Sequence, residues 1–411
     1  MRGRLLSLLL LALAALPARG GVKPDFTTWL ADFRQDAQAQ GITPATLDLA
    51  LGTIQPLPRV LELDQRQPEF VDTFWNYLDA RVNARQLRLS HDKLWIHRKP
   101  LYRAQGRHGV PATLLVALWG METRFGKSLG GFPTLSALAT LAHDGRRAAF
   151  FRAELLNALR ILQDGHASLA TLKGSWAGAL GQMQFMPSTF VEYAVDGDGD
   201  GRKDLWRSLP DAFDSAAEYL NRLGWRENEH WGREVRLPAG FDYGQATLNN
   251  RKPVSQWAAV GVTLADGKTL PKSDLPGAIL LPQGYAGPAF LVYRNFDVVM
   301  TWNRSINYAL SALLLADRLQ GLPPPRLGRG ADNRRLSKDD VQEMQRLLRG
   351  RGFETGDPDG VPGSRTREAI RAFQETAGLP VDGFASATLL EQLRQTGALQ
   401  ARGPQPEMAI H

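Results

Sequence analysis

Hydrophobic positions change their period three times along the chain. Residues 5–16 are an almost unbroken apolar run. From residue 21 to about 225 the apolar positions recur at helical spacing. One helix is predicted from Pro111-Ala112-Thr113-Leu114-Leu115-Val116-Ala117, where proline suits the first turn. Leu114, Leu115, Leu118 and Met121 share one apolar face, and Glu122 falls on that same face. Asp211 to Arg222 repeats the pattern through Phe213, Ala216, Ala217 and Leu220, with Gly224 as a stop signal. Between 231 and 294 the runs shorten. "EVRLP", "AILLP" and "AFLVY" are rich in branched and aromatic residues and bounded by Gly and Pro, which predicts strands of a small inserted subdomain. A single helix is predicted again from about Phe296 to Leu319, ending at Gly321.

The stretch "GLPPPRLGRGADNRR", residues 321–335, reads as a linker that prolines stiffen and glycines loosen. A separate unit follows at 336–396. Ser337 and Asp340 form a weak capping-box variant ahead of the stripe Val341, Met344, Leu347 and Leu348. Two half-repeats follow, "DGVPGSRTREAI" and "DGFASATLLEQL", each an Asp-Gly turn feeding a helix. Residues 397–411 are an expected disordered tail. The pattern predicts a mainly α (α+β) protein with a β-containing insert and a C-terminal helical unit.

Composition narrows the class. The length of 411 residues fits two or three domains. Arg2 and Arg4, the apolar run and Ala18-Arg19-Gly20 read as a secretory signal peptide over residues 1–20. No later segment reaches membrane-span length. The chain has no cysteine, which excludes disulfides, a thiolate metal site and a lipid anchor on cysteine. A soluble periplasmic protein is the expectation. Removing the three arginines of residues 1–20 lowers the formal charge from +7 to +4. That bias suits an anionic polymer. No clustered basic stripe is apparent, so nucleic acid is not expected as a partner.

Three stretches carry candidate chemistry. In "LWGMETRFG", burial of Glu122 beside apolar side chains would raise its pKa, as a glycosidase acid requires. A buried Glu paired with Arg124 or another base is the alternative. "GSWAGALGQMQFMPSTF", residues 174–190, mixes small, polar and flat apolar residues that suit sugar binding, or else forms a Gly/Ala-rich turn between helices. In "DGDGDGRKD", Asp196, Asp198 and Asp200 alternate as at the start of a calcium loop, but Arg207 stands where the last Glu ligand belongs. Asp211 could replace it. The alternative is an acidic turn with no ion.

Taken in order, these stretches resemble the B-type lytic murein transglycosylases, over roughly residues 25–320 of a catalytic domain expected at 21–320. "GMETRFG" is similar to the segment of that family's single catalytic glutamate, which implies Glu122. "SWAGALGQMQFMPS" implies sugar contacts from Ser175, Gln184 and Phe185, and "RRAAFF" implies Arg147 and Phe150. "WNRSINYA" implies Asn303 and Tyr308. Trp302 stands where the family usually has Tyr, so stacking without a hydroxyl contact is expected there. The implied calcium ligands are Asp196, Asp198, Asp200, the carbonyl of Arg202, and Asp211. Residues 336–396 resemble the three-helix peptidoglycan-binding domain, marked by Asp359, Gly360, Gly363 and Thr366.

The resemblance implies a lysozyme-like catalytic domain acting as a lyase on the MurNAc-GlcNAc β-1,4 bond of peptidoglycan, leaving 1,6-anhydro ends. Glycan strands are the implied partner, with other wall-synthesis or wall-hydrolysis proteins as further candidates. A hydrolytic muramidase would need a second carboxylate across the cleft. A non-catalytic wall-binding protein would have no reason to bury Glu122.

Overall fold

A computed structural model describes residues 24–65 and 70–401. The expected signal peptide and residues 402–411 of the expected tail lie outside the described residues. No helix among the described residues is long and apolar enough to cross a membrane.

The helical part is assembled around the Ala112–Thr123 helix. All of its residues are buried except Met121 and Glu122. The expected single apolar face is therefore a correction: Val116, Ala117 and Trp119 are as enclosed as Leu114 and Leu118. A helix apolar all round belongs inside a large domain. The helices Ile306–Leu319, Ala84–Ile96 and Arg98–His108 surround it. Leu209–Arg222 packs on Arg98–His108 and starts at Ser208, whose hydroxyl accepts the Asp211 N–H at 3.2 Å.

The run expected as one helix over 296–319 is two, Arg294–Trp302 and Ile306–Leu319. Asn303 is extended (φ −144°, ψ 119°), and its side-chain oxygen accepts the Ser305 N–H at 3.1 Å. Such local bonding competes with a helix. Ser305 then caps the second helix, accepting from the Tyr308 N–H at 3.3 Å.

The insert is a five-stranded antiparallel sheet in the order Lys252–Pro253, Pro276–Leu280, Ala289–Val292, Gly232–Arg236, Thr263–Leu264. Its own core holds Val235, Trp257, Ile279, Leu291 and Tyr293. The C-terminal unit has three helices, Lys338–Arg349, Ser364–Thr376 and Ala387–Ala401, over a third core of Val341, Met344, Leu348, Ile370 and Leu393. Its last helix runs past the expected boundary at 396. The half-repeats are structurally matched. Gln345 donates to Asp359 Oδ1 (2.9 Å) and accepts from the Gly360 N–H (3.0 Å). Gln374 repeats both bonds with Asp382 (2.7 Å) and Gly383 (2.9 Å).

Two expectations need correction. The segment 321–335 is not a free tether. The Arg326 and Leu327 N–H groups donate to the Glu234 carboxylate (2.9 and 2.7 Å), Trp75 Nε1 donates to the Gly328 carbonyl (3.0 Å), and Arg329 pairs with Asp79 (2.8 Å). Strand Phe70–Val71 then pairs with Leu336–Ser337, and Asp382 of the C-terminal unit accepts the Tyr285 N–H at 2.8 Å, so that unit is bound at its first residues and again at its second turn. Second, one stretch is more basic than the overall charge suggests. Residues 85–107 carry seven Lys and Arg against the single acid Asp92. Arg98 and Lys99 sit where the helices Ala84–Ile96 and Arg98–His108 meet, while Arg103 and Arg107 turn to Asp214.

Candidate active site around Glu122

Glu122 occupies the last turn of its helix, and the chain reverses immediately after it. Arg124 and Phe125 both adopt left-handed backbone conformations (φ 51° and 60°), which non-glycine residues rarely do. The turn folds the Phe125 ring against Trp119, with centroids 5.3 Å apart. It also explains Gly120, since a Cβ there would lie 2.6 Å from the Phe125 ring. Thr123 Oγ1 donates to the Gln182 carbonyl at 2.9 Å and accepts the Gly126 N–H at 3.1 Å. Trp119 Nε1 donates to Gln182 Oε1 at 2.8 Å. These bonds hold the glutamate's turn against the 174–190 loop.

Both recorded partners of the Glu122 carboxyl act on one oxygen. Trp302 Nε1 donates to Oε1 at 2.9 Å, and the Tyr308 hydroxyl donates to the same atom. Burial pushes the Glu122 pKa up, while the bonds from Tyr308 and then Trp302 oppose it. Among the described residues Glu122 has no ion pair, so the alternative of a structural pair with Arg124 does not hold; no other acid raises its pKa. Other buried acids are committed elsewhere: Glu154 to the Ser188 N–H and hydroxyl, Asp317 to His230 and Trp231, Asp214 to Arg107. Burial raises the Tyr308 pKa well above its ordinary value, with the Glu122 charge adding, so this phenol remains a donor at neutral pH.

Trp302 thus corrects the expectation of stacking alone. Its indole N–H supplies a hydrogen bond, so losing the tyrosine hydroxyl does not lose a polar contact at this position. The break at Asn303 puts Trp302 at the end of one helix and Tyr308 in the first turns of the next, both aimed at Glu122.

The other expected sugar contacts are placed unevenly. Phe185 is buried beneath Trp302 (5.6 Å) rather than facing open space. Gln184, with a left-handed backbone (φ 51°), donates to the Leu129 and Gly181 carbonyls at 3.2 and 3.0 Å. That leaves its side-chain oxygen with no recorded bond. Ser175 Oγ accepts the Ala179 N–H at 3.0 Å and keeps its own proton available. Arg147 and Phe150 are exposed and stacked on each other at 4.5 Å. No hydrogen bond or ring contact among the described residues links that pair to Glu122. Tyr219 and Tyr193 were not anticipated from the sequence: Tyr219 lies 5.5 Å from Trp302 and 4.5 Å from Tyr193. Nor was Tyr77, whose pKa is raised by burial and, in part, by the Glu122 charge. An aromatic on an amphipathic helix reads as ordinary core, so the sequence carried no signal for these.

The aspartate loop brings together three of its four expected acids. Carboxylate oxygens of Asp196, Asp198 and Asp211 lie within 4.8 Å of one another. Asp200 instead accepts the Arg202 N–H at 2.8 Å and is not in the group. Burial raises the Asp211 pKa, opposed by N–H donors from Asp204 and Gly197. An all-carboxylate oxygen set suits a hard divalent cation such as calcium.

Comparison with known proteins places this geometry. A family model described as the Transglycosylase SLT domain matches residues 25–317, and one for a peptidoglycan-binding domain matches 337–393. The membrane-bound lytic murein transglycosylase B of Escherichia coli is 35% identical over 217 residues, 51% of this chain; the match spans only 57% of that relative's length. The crystal structure of SltB3 from Pseudomonas aeruginosa in complex with NAG-NAM-pentapeptide is 44% identical, covers 90% of this chain and 99% of its own, and superposes with a TM-score of 0.86. Slt35 of E. coli in complex with calcium is 29% identical over 71% of this chain and 92% of its own, with a TM-score of 0.62. With the SLT model covering most of its length and a glutamate set on a helix end beneath two hydrogen-bond donors, the chain belongs to the Transglycosylase SLT domain family.

Proposed function

We propose that the protein is a lytic transglycosylase that cleaves the MurNAc-GlcNAc β-1,4 bond of peptidoglycan and leaves 1,6-anhydromuramic acid ends. One observation carries the reading: Glu122 is a single desolvated carboxyl group with two neutral donors on Oε1 and, among the described residues, no partnering acid or cation. With Oε1 accepting twice, the proton of the acid form resides on Oε2. Oε2 donates it to the glycosidic oxygen as the C1–O bond breaks. The positive charge at C1 is held by the substrate's own acetamido group, so no second protein carboxylate is required. Glu122 is then an anion, stabilised on Oε1 by Trp302 and Tyr308. It takes the C6 hydroxyl proton as that oxygen closes on C1. No water is consumed and the glutamic acid is regenerated. A pKa raised from the carboxylate range serves both steps.

Around this acid, Ser175, the free oxygen of Gln184, Asn303 and the exposed Arg147–Phe150 pair are proposed sugar contacts, with Phe185 acting through Trp302. Asp196, Asp198 and Asp211 would hold a structural calcium ion, with the Arg202 carbonyl and Asp200 as remaining candidates. The calcium complex of Slt35 supports this. The C-terminal unit, residues 336–396, is proposed to bind the wall, and a periplasmic location follows from a cleaved leader over residues 1–20.

Mass spectrometry of sacculi digested by the purified protein tests the reaction. Anhydro ends are expected; reducing ends would make it a hydrolase. Glu122→Gln should lower lysis by at least ~10³-fold, because proton transfer is lost in both steps. A variant retaining a tenth of the activity would end the assignment.

A further inference from the structure

We infer that the corner between the helices Ala84–Ile96 and Arg98–His108 is a surface for peripheral docking on an anionic lipid bilayer. Three large apolar side chains stand out from this corner: Trp95, Ile96 and Tyr102 are 68%, 60% and 54% exposed. Trp95 and Ile96 end the first helix, and Tyr102 lies in the opening turns of the second. Their exposure is not forced by a shortage of core, because Leu101 and Ala104 of the same short segment are fully buried.

Cations adjoin these tips and continue along the first helix. Arg85, Arg88, Arg98 and Lys99 are exposed, and Lys93 is half-buried. None of these five makes an ion pair among the described residues, whereas Arg103 and Arg107 further along are both engaged by Asp214. Arg98 lies over the Trp95 ring at 4.3 Å and donates to the Trp95 carbonyl at 2.9 Å, which fixes the corner's shape. On the buried side, His97 packs edge-on to Trp119 at 5.3 Å. The tips therefore point away from the molecule on a rigid support.

Lys and Arg without an acidic partner call for an anionic one. The apolar tips decide which kind. A glycan or another polyanion would engage the cations and the aromatic faces but has no use for an exposed isoleucine on a convex corner. A bilayer interface takes Trp and Tyr at headgroup depth and an aliphatic tip just below, while Lys and Arg meet the lipid phosphates. Neither element alone anchors firmly, so binding is reversible and falls with salt. Such docking would hold the enzyme beside the membrane-proximal wall without a covalent lipid.

Flotation with vesicles tests this, using the chain from residue 21, since the apolar run before it would itself bind lipid. The expected result is binding to phosphatidylcholine vesicles containing about one-third phosphatidylglycerol, little binding to phosphatidylcholine alone, and release by 0.5 M salt. Trp95→Ala with Ile96→Ser, and separately Arg98→Glu with Lys99→Glu, should each lower binding at least ~10-fold. Circular dichroism and activity on a short soluble glycan should match wild type, so a folding defect is separable. Absence of vesicle binding overturns the inference. So does equal binding by the variants, or a loss confined to pelleting with sacculi, which would assign the corner to a wall polymer.

Discussion

At the scale of single residues, Glu122 and its two donors set the chemistry. The sequence revealed the glutamate because a carboxyl group interrupts an apolar helix, but its donors were less legible. Tyr308 came only through family resemblance, and Trp302 was expected merely to stack. No spacing rule links an indole N–H to an acid 180 positions away. The pair makes a prediction with a definite sign. Glu122 must be protonated to give up its proton, so activity falls as pH rises through its pKa. The Trp302 bond stabilises the carboxylate and thereby opposes the upward push of burial. Trp302→Phe removes that bond and keeps a ring. The pKa should rise and the alkaline limb of the kcat/KM profile should move to higher pH. A hydrogen bond to a charged acceptor is worth roughly 1.5–3 kcal/mol. Half-exposure of the indole favours the low end of that range, which is still a resolvable displacement of the limb. A limb that stays in place or moves down would mean the indole does not sense the carboxylate's charge.

At the scale of elements, periodicity located the Glu122 helix, the Leu209–Arg222 helix, the C-terminal helices and the three principal strands, while local polar chemistry decided their ends. The break at Asn303 and Ser305 is such a case: hydrophobic spacing runs on through it, yet side-chain bonds to Ser305 and Tyr308 N–H groups stop one helix and restart another. The aspartate loop is similar. Its alternating acids were plain in the sequence, but not which carboxylates converge: Asp211, distant in sequence, joins Asp196 and Asp198, while Asp200 accepts the Arg202 N–H outside the group. Asp211 joins the loop to the Leu209–Arg222 helix, so a bound ion would tie that helix's start to the loop. Three carboxylates at this separation repel one another when ionised. Calcium should therefore raise the melting temperature, by about 2.7 kcal/mol of added stability at a hundredfold excess over Kd. Asp211→Asn should abolish most of the gain. Calorimetry in chelator and in millimolar calcium measures it, and identical melting points would leave the loop an acidic turn. The rate on soluble glycan should change little, because none of the loop acids bonds to Glu122.

At the scale of the whole molecule, the sequence marked the connection between the catalytic and C-terminal parts as a linker without showing that it lies docked, for a physical reason. Pro and Gly punctuate any irregular segment, whether it hangs free or lies docked, so composition alone does not separate the two. Here residues 326–334 satisfy partners across the surface: Glu234, Trp75 and Asp79, with Gln283 donating to the Asp332 carbonyl at 2.9 Å. Two truncations therefore differ in outcome. A chain ending at Ser337 keeps those bonds and the strand pair with Phe70–Val71, and loses the Tyr285 N–H bond to Asp382 and the exposed bonds of Asp332 and Arg334 to Thr388 and Glu391. Its melting temperature should fall less than that of the shorter chain, and it should keep its activity on a short soluble glycan while losing affinity for insoluble sacculi, since a tethered binding unit raises local substrate concentration without altering the site. A chain ending at Leu319 also strips donors from the half-buried Glu234 carboxylate and the acceptor from Trp75 Nε1. Each orphaned group costs about 1–3 kcal/mol, enough to lower the melting temperature by several degrees. Thermal scans and sacculus pelleting of both chains distinguish the two contributions. Equal stability of the two would return residues 321–335 to the role of a passive tether, and equal pelleting of the Ser337 chain and the full protein would remove the wall-binding role from the C-terminal helices.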